Sequence, residues 1–279
     1  MKEHTKHSKG KTRMAMIVVL SLVVAASGLA GLSSAGPAAR AQSTESTLFF
    51  PLIFKNAARL AEESIMILTP ASGSRVTSPI HVSGVADPTF EQNLVVRVLQ
   101  ADGSLVTEAP TTIQTGAGQR GPFELDLTVN LATEQNIFIQ VFATSPRDGG
   151  VTHLSSVGVT FTPTGPEDIL NRTPYPEQIA ITHPHTGDTL SGGNVQVMGF
   201  GLASFEQTLL VEVLDEDGDV VGSQPVTVAA PELGEPGPFQ ADIAYTVSVA
   251  GPGRIVVRDV SPAFGGDTHL SSVEVNLAP

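Results

Sequence analysis

Two matching segments carry the side chains that could do chemistry. Residues 145–157 read SPRDGGVTHLSSV and residues 261–273 read SPAFGGDTHLSSV. Each segment surrounds one histidine with hydroxyl groups in a loop between two expected strands, where sandwich domains often bind partners. The candidate binding residues are Thr152, His153, Ser155, Thr268, His269 and Ser271. Turn chemistry gives the alternative interpretation, because paired glycines form tight turns and hydroxyls bond nearby backbone.

Serine and histidine are also the residues of nucleophilic catalysis. His153 lies two residues from Ser155, so on a strand both side chains share one face. A serine hydrolase also needs an oxyanion hole, and the chain has no G-x-S-x-G motif. No set of residues assembles the roles that a catalytic site requires. The sequence therefore indicates a protein that is not an enzyme, with a serine or metal-dependent hydrolase as the most distant alternative.

Two further motifs are candidates for metal binding. His183 and His185 place two imidazoles on one extended segment, but no third ligand stands at a fixed spacing. Asp215, Asp217 and Asp219 offer carboxylates to calcium, although the glycine among them is not where an EF-hand loop needs it. The first repeat lacks both motifs, which favours surface histidines and a solvated acidic turn. We therefore expect no cofactor, with calcium at the acidic turn as the alternative.

An internal repeat supplies the elements that must position these residues. The motif GPF at 121–123 returns at 237–239, and the two THLSSV motifs are separated by the same offset of 116 residues. A period of this length indicates duplicated domains and excludes a short-repeat solenoid. We therefore expect each candidate residue of the first repeat to have a structural counterpart in the second.

The repeat divides the chain into five segments. We expect a signal peptide at 1–41, an N-terminal linker segment at 42–64, an immunoglobulin-like domain at 65–161, a proline-rich linker at 162–178 and a second immunoglobulin-like domain at 179–279. Prolines stiffen a linker, so we expect the two domains to be joined as beads with limited rotation.

Alternation with a period of two predicts strands in both repeats. Within 123–129, apolar side chains alternate with Glu124, Asp126 and Thr128, which is typical of a half-buried strand. Seven strands are predicted in the first repeat, near 65–68, 79–86, 93–99, 104–113, 123–129, 136–144 and 156–161. Short strands separated by turns, without a helical period, predict an all-β fold of two tandem immunoglobulin-like antiparallel β-sandwiches.

Matched positions in the two repeats predict two side-chain environments. Phe90 and Phe205 are the candidates for the aromatic residue that fills each core. Arg97 and Glu212 occupy equivalent places in apolar strands. Because a charge of either sign is accepted there, we expect this face of the sheet to lie in water.

The N-terminus predicts export. A basic stretch precedes an apolar run at 14–32, and Ala39-Arg40-Ala41 suits cleavage before Gln42, with a retained membrane anchor as the alternative. We expect an extracellular or cell-envelope protein, whose mature chain has no transmembrane segment if the leader is cleaved. Cleavage removes six basic residues and one acidic residue, which takes the formal net charge from −13 to −18. Such a surface repels phosphate backbones, so we predict no nucleic-acid partner.

The order of several motifs resembles a known family. A P-x-x-G motif, a strand ending in glycine, a Phe-Glu pair, an Asp-Gly turn and GPF follow one another twice, at 70–73, 84, 90–91, 102–103 and 121–123, and at 184–187, 199, 205–206, 217–218 and 237–239. This pattern resembles the bacterial spore germination immunoglobulin-like domain and covers nearly all of both repeats. The resemblance implies an extracytoplasmic β-sandwich that is usually a non-catalytic module of envelope proteins.

Two functional hypotheses follow. The first is a secreted or cell-envelope binding or adhesion module, whose partner is an envelope protein or a glycan. The second is a purely structural spacer that holds something away from the cell surface.

Overall fold

The computed structural model describes residues 61–202, 206–262 and 265–279. The first repeat forms eight strands: β1 (Ile65–Thr69), β2 (Arg75–Val76), β3 (Ile80–Ala86), β4 (Asn93–Gln100), β5 (Leu105–Thr112), β6 (Gly121–Leu127), β7 (Gln135–Thr144) and β8 (Val151–Phe161). The second repeat forms eight more: β9 (Ile179–His183), β10 (Thr189–Leu190), β11 (Asn194–Gly201), β12 (Thr208–Leu214), β13 (Val220–Thr227), β14 (Gly237–Ala244), β15 (Gly251–Val260) and β16 (Asp267–Leu277). The predicted all-β fold class is confirmed. The predicted leader and the segment up to residue 60 lie outside the described residues.

Each repeat folds as a sandwich of two sheets, which are antiparallel except that the short β2 and β10 pair parallel with β8 and β16. In the first domain β1, β3 and β6 form one sheet, and β8, β7, β4 and β5 form the other. The second domain repeats this arrangement with β9, β11 and β14 facing β16, β15, β12 and β13. Alternate apolar residues of both sheets point inward, so Val96, Ile139 and Phe123 are buried in one core, and Val211, Ile255 and Phe239 in the other.

In the first domain, the aromatic residue that fills the core is not the one predicted. Phe90 lies in a short 3-10 turn before β4 and is 57% exposed, whereas Phe205 lies outside the described residues. Left-handed φ angles of 53° and 58° at Glu91 and Gln92 turn the chain so that Gln92 faces inward instead. Phe123 fills the core, with its ring lying over Gly84 of the neighbouring strand.

The two sandwiches share one sheet. Strands β8 and β16 pair antiparallel, with Leu154 opposite Leu270 and His153 opposite Ser271. Leu154 and Leu270 are equivalent residues of the two repeats, so the pairing generates a local two-fold axis, here called the dyad. Ser156 Oγ donates to the Thr268 carbonyl at 2.6 Å, and Ser272 Oγ donates to the Thr152 carbonyl at 2.7 Å, as that symmetry requires. The domains are therefore not separate beads.

The outer face of the shared sheet is largely enclosed between the two domains. One apolar cluster on this face takes Phe142 and Leu154 from the first domain and Leu214, Val256 and Leu270 from the second. The expectation that this face lies in water was wrong: Glu212 has a side chain only 13% exposed and pairs with Arg258 at 2.7 Å, while Arg97 stacks 4.7 Å from the Phe142 ring centroid. Sequence alternation shows that a strand has a second face, but not what covers it.

The linker is attached to the first domain along much of its length. Asp168 exchanges backbone hydrogen bonds with Arg75, and the Leu170 carbonyl accepts from Ala71 at 2.8 Å. At its end, the linker segment Tyr175–Glu177 pairs with Ala61–Glu63, and the same dyad relates these two segments. In the part of the chain that the structure describes, no helix is long and apolar enough to cross a membrane.

Candidate functional site

Four ionisable side chains meet on the dyad. His153 on β8 and His269 on β16 lie on the core-facing sides of their strands, and their rings meet edge to face with centroids 5.4 Å apart. Glu63 and Glu177 precede β1 and β9, and the segments that carry them pair with each other: Glu63 N–H donates to the Tyr175 carbonyl at 3.1 Å and Glu177 N–H to the Ala61 carbonyl at 2.8 Å. Each domain thus contributes one histidine and one glutamate to what we term the dyad cluster.

The distances between the polar atoms of the dyad cluster are short. His153 Nε2 lies 2.6 Å from Glu63 Oε1 and 3.7 Å from Glu177 Oε1. His269 Nε2 lies 3.4 Å from Glu63 Oε1 and 3.6 Å from Glu177 Oε1. One atom from each of the four side chains lies within 4.8 Å of the other three. The cluster therefore presents two imidazole nitrogens and two carboxylate oxygens toward one point.

Burial makes this arrangement chemically significant. The side chains of Glu63, His269 and Glu177 are 0%, 3% and 7% exposed, and that of His153 is 12% exposed. Glu177 Oε1 and His269 Nε2 are buried and have no hydrogen-bond partner within the described residues. Buried polar atoms are rarely left unsatisfied, because each costs about 1–3 kcal/mol. These two atoms face each other at 3.6 Å, just beyond hydrogen-bond distance.

The cluster shifts two pKa values in opposite directions. Burial alone would lower the pKa of His153, but its hydrogen bond with Glu63 and the negative charge of Glu177 outweigh burial and raise that pKa. Burial alone would raise the pKa of Glu177, but contact with His269, the charge of His153 and the Ser64 amide outweigh burial and lower it. The surroundings therefore favour an ionised glutamate beside a protonated histidine.

The other oxygen of each glutamate is held by backbone. Gln178 N–H donates to Glu63 Oε2 at 3.0 Å, and Ser64 N–H donates to Glu177 Oε2 at 2.9 Å, so each domain orients the carboxylate of the other. Ser155 Oγ adds a weaker bond to Glu63 Oε1 at 3.3 Å. These bonds leave the Oε1 atoms directed at the imidazoles.

The structure places the six candidate binding residues at the domain junction. It brings His153, His269 and Ser155 together around Glu63, but it does not bring the other three hydroxyls there. Thr268 Oγ1 donates to Asp259, and Thr152 accepts from Ser272 through its carbonyl. Ser271 lies opposite His153 and lines a cleft with it. The histidines lie in strands and not in the predicted loop, because the loop ends at Gly150. Ser155 donates to a carboxylate and not to an imidazole, which is not the geometry of a serine nucleophile with its base.

Sequence reasoning missed Glu63 and Glu177, because both were assigned to linkers. A signal was present: the motif Glu-x-Ile occurs at 63–65 and at 177–179, so the repeat extends two residues upstream of each predicted domain. The separation of about 90 residues between Glu63 and His153 gives no local spacing that would connect them.

The two motifs first considered for metal lie elsewhere. His183 and His185 stack edge to face with Asp188 nearby, but the His185 side chain is 76% exposed and its Nδ1 is 3.6 Å from Asp188 Oδ2. Asp215 Oδ1 accepts from the amides of Asp217 and Asp219 at 3.1 and 2.9 Å, which closes the turn. Within the described ranges, the three aspartates do not belong to either group whose ligand atoms converge.

Two clefts flank the dyad cluster, one on each side. The larger has a volume of about 680 Å³ and is lined by Ser72, Gly158, Arg172 and His269 among others. The smaller has a volume of about 370 Å³ and includes His153 and Thr186. Ser72 and Thr186 are equivalent in the two repeats, so the clefts are related by the dyad.

A tandem pair of immunoglobulin-like sandwiches is the class of protein that the fold defines. The family described as the immunoglobulin-like domain of bacterial spore germination matches residues 64–150 and 178–266. These matches cover more than half of the sequence, and the chain belongs to this family, in two tandem copies. Membership supports a non-catalytic binding or structural module.

Other comparisons add little. No curated protein matches the sequence. Red sea bream transglutaminase is 6% identical, with 77% of this chain and 31% of that chain covered and a TM-score of 0.28. Dimeric latent PorU from Porphyromonas gingivalis is 11% identical, with 77% and 24% covered and a TM-score of 0.23. The Ig1-2 module of Drosophila receptor protein tyrosine phosphatase DLAR is 11% identical, with 78% and 100% covered and a TM-score of 0.22. This chain spans less than a third of the first two, and likenesses this weak carry no functional argument.

Proposed function

We propose that this chain acts outside the cytoplasmic membrane as a rigid, non-catalytic structural module, in which two immunoglobulin-like domains form one body. The observation that carries the proposal is the antiparallel pairing of β8 with β16, which joins the domains through main-chain hydrogen bonds. Two domains in one chain usually move relative to each other unless a large apolar interface prevents it. Here a shared sheet, an apolar cluster and an attached linker all oppose that motion.

A buried ion pair strengthens the junction. Arg254 of β15 reaches across to Asp148 in the loop before β8, with Nη2 at 2.7 and 2.6 Å from the two carboxylate oxygens. The Arg254 and Asp148 side chains are 0% and 3% exposed. Hydrogen bonds between a charged guanidinium and a carboxylate are shorter and stronger than those between neutral groups. Domain rotation would break this contact in a desolvated place, where an unpaired charge is costly.

Export and surface charge support the location outside the membrane. The basic and apolar leader directs the chain to export, and the net charge of −18 after its removal keeps an exported protein soluble. A rigid acidic body of this kind suits a spacer that holds an attached partner away from a surface.

A binding module is the second candidate, and the larger cleft favours it. Its volume of about 680 Å³ is within the range of ligand pockets, and Asn171, Arg172 and Gln178 give it polar groups. An envelope protein or a glycan remains the partner class for this function.

Spin-label distances test the structural proposal. The chain has no cysteine, so Glu124→Cys and Gln240→Cys introduce the only two labelling sites, on exposed positions of β6 and β14. We expect a narrow distance distribution in double electron–electron resonance. The control pair is Glu124→Cys with Asn136→Cys, which measures a distance between the two sheets of the first domain alone. A distribution much broader for the first pair than for the control would refute a rigid body.

Co-sedimentation with cell-envelope fractions tests the binding candidate. Ser72→Tyr fills the larger cleft, and Thr186→Tyr fills the smaller one at the equivalent position. A binding function of the larger cleft predicts saturable sedimentation that Ser72→Tyr abolishes and Thr186→Tyr retains. Sedimentation that no cleft variant changes would argue against it.

A further inference from the structure

The donor types of the dyad cluster suit a transition metal. Imidazole nitrogen and carboxylate oxygen are both ligands of Zn²⁺ and related divalent ions. In a four-coordinate site with bonds of about 2.0–2.2 Å, neighbouring ligand atoms lie about 3.3–3.6 Å apart. Three of the four nitrogen–oxygen distances in the cluster are 3.4, 3.6 and 3.7 Å. The fourth, 2.6 Å between His153 and Glu63, is a hydrogen bond whose proton a metal ion would replace.

The charges and unsatisfied atoms of the cluster point to a cation. Two carboxylates lie in a desolvated place, and the contacts of their Oε1 atoms are with imidazoles and the Ser155 hydroxyl. One divalent cation would neutralise both carboxylates. It would also satisfy Glu177 Oε1 and His269 Nε2, which have no hydrogen-bond partner within the described residues. An acidic patch on a surface would show neither feature, because water solvates such groups.

The surroundings of the ligands are those of a constructed site. Metal-bound carboxylates are usually oriented by a hydrogen bond to the oxygen that does not bind the metal. Here the amides of Gln178 and Ser64 bind the Oε2 atoms of Glu63 and Glu177, so both Oε1 atoms are directed at the imidazoles. Glu63 Oε1 also accepts from Ser155 Oγ at 3.3 Å. His269 and His153 each line one of the two clefts, which give an ion access from solvent.

We propose that Glu63, His153, Glu177 and His269 bind one divalent transition-metal ion of the Zn²⁺ type, which links the two domains at the dyad. Four protein ligands leave no open position, so the site is structural in kind. Ca²⁺ and Mg²⁺ fit poorly, because they take six or more ligands that are mainly oxygen. The proposal goes beyond the structural role above and can fail separately, because ion stoichiometry and domain rigidity are measured independently.

Calorimetric titration with Zn²⁺ tests the site. The exported chain, prepared without a histidine tag and stripped with a chelator, should bind one Zn²⁺ per molecule. His269→Gln and Glu177→Gln should each weaken binding by about 100-fold or more, because even the outer partners of metal ligands are worth about 10–100-fold. His183→Gln is the matched control, since it removes an imidazole of the second group of possible ligands, which includes His185 and Asp188. It should leave the tight site unchanged.

A second measurement covers variants that fail to fold. Co²⁺ added to the unaltered chain should give the strong visible absorption of a four-coordinate ion, and Zn²⁺ should abolish it by displacement. Only weak absorption from six-coordinate Co²⁺ would overturn the proposal. The absence of stoichiometric Zn²⁺ binding, binding of equal strength in His269→Gln, or loss of the tight site in His183→Gln would also overturn it.

Discussion

Asp148 and Arg254 show how individual polar residues hold the domains in one orientation. Their contact is buried, and a Cβ at Gly150 would lie 2.9 Å from Arg254 Nη1, so a side chain there would require the guanidinium to shift. Forming a buried pair adds little net stability, because desolvation offsets the attraction. Breaking it is costly, and the contact therefore selects one arrangement of the domains.

Asp148→Asn should destabilise the chain by about 3–5 kcal/mol, because it leaves the Arg254 charge buried without its partner. Urea unfolding followed by circular dichroism measures the loss. Glu134→Gln is the control: it removes an exposed ion pair with Arg75 and should change stability little. Equal effects of the two substitutions would contradict the role assigned to Asp148.

Acid should weaken the same contact. Burial would raise the pKa of Asp148, but Arg254, the Gly150 amide and Arg147 outweigh burial and hold this pKa well below its ordinary value of 3.8. A carboxyl with a lowered folded pKa contributes stability above its unfolded pKa, and this is lost as the pH falls toward the folded value. Below about pH 4, the free energy of unfolding of the unaltered chain should therefore fall by about 1.4 kcal/mol per pH unit more than that of Asp148→Asn. Urea titrations from pH 7 to pH 2.5 measure the difference, and parallel curves would contradict it.

The sequence identified half of the dyad cluster. His153 and His269 stood out because each repeat places the same histidine among the same hydroxyls. Their environment was not predictable, since an alternating strand pattern does not show that the edge of β8 is covered by β16. Glu63 and Glu177 were missed because their strands begin two residues later, which placed them in linkers.

In each domain, a phenylalanine ring on one strand packs over a glycine of the neighbouring strand. Gly84 of β3 lies opposite Phe123 of β6, and Gly199 of β11 lies opposite Phe239 of β14. A Cβ at Gly84 would be 2.0 Å from the Met66 carbonyl oxygen and 2.6 Å from Phe123 Cζ. The φ angle of Gly84 is not in the left-handed region, so the backbone conformation does not require glycine. Glycine is required because the neighbouring backbone and the Phe123 ring approach so closely.

Gly84→Ala should cost about 1–3 kcal/mol, since the added methyl group collides with backbone that cannot move away easily. Gly158→Ala is the matched control on β8, where a Cβ would meet the Phe138 ring at ordinary contact distances of 3.6 and 3.8 Å. Its effect should stay within about 0.5 kcal/mol. Thermal unfolding of both variants measures the contrast, which should disappear if Phe123 can move aside.

Strand positions were predictable, but the packing of side chains against turns was not. All seven strands predicted in the first repeat overlap observed strands, because alternation reports a half-buried face directly. Phe90 was misplaced because a left-handed turn at Glu91 and Gln92 rotates it outward. Non-glycine residues rarely adopt such angles, so no sequence pattern signalled the turn.

The whole molecule should unfold as one cooperative unit. The apolar cluster that takes residues from both domains places Leu154 and Leu270 opposite each other on the dyad. Neither domain can unfold without exposing its share of this cluster to water.

Leu270→Asp should separate the domains, because it places a carboxylate in a position that is 2% exposed. Differential scanning calorimetry should then resolve two transitions in place of one. Val249→Asp, at a position 77% exposed, should keep the single transition. Two transitions in the unaltered chain would show that the domains are not coupled.

The dyad has a consequence for how such an interface can be maintained. Each repeat contributes the same surface to the junction, which is the isologous arrangement of a symmetric homodimer, closed here within one polypeptide. Separate copies would have to find each other by diffusion. The tether of 17 residues makes the association of the two domains intramolecular. Each domain then meets the other at an effective concentration of about the millimolar range. A contact of only two paired residues between strands can therefore persist. The two copies are also free to diverge, so that Arg97 in one corresponds to Glu212 in the other, which no homodimer could encode.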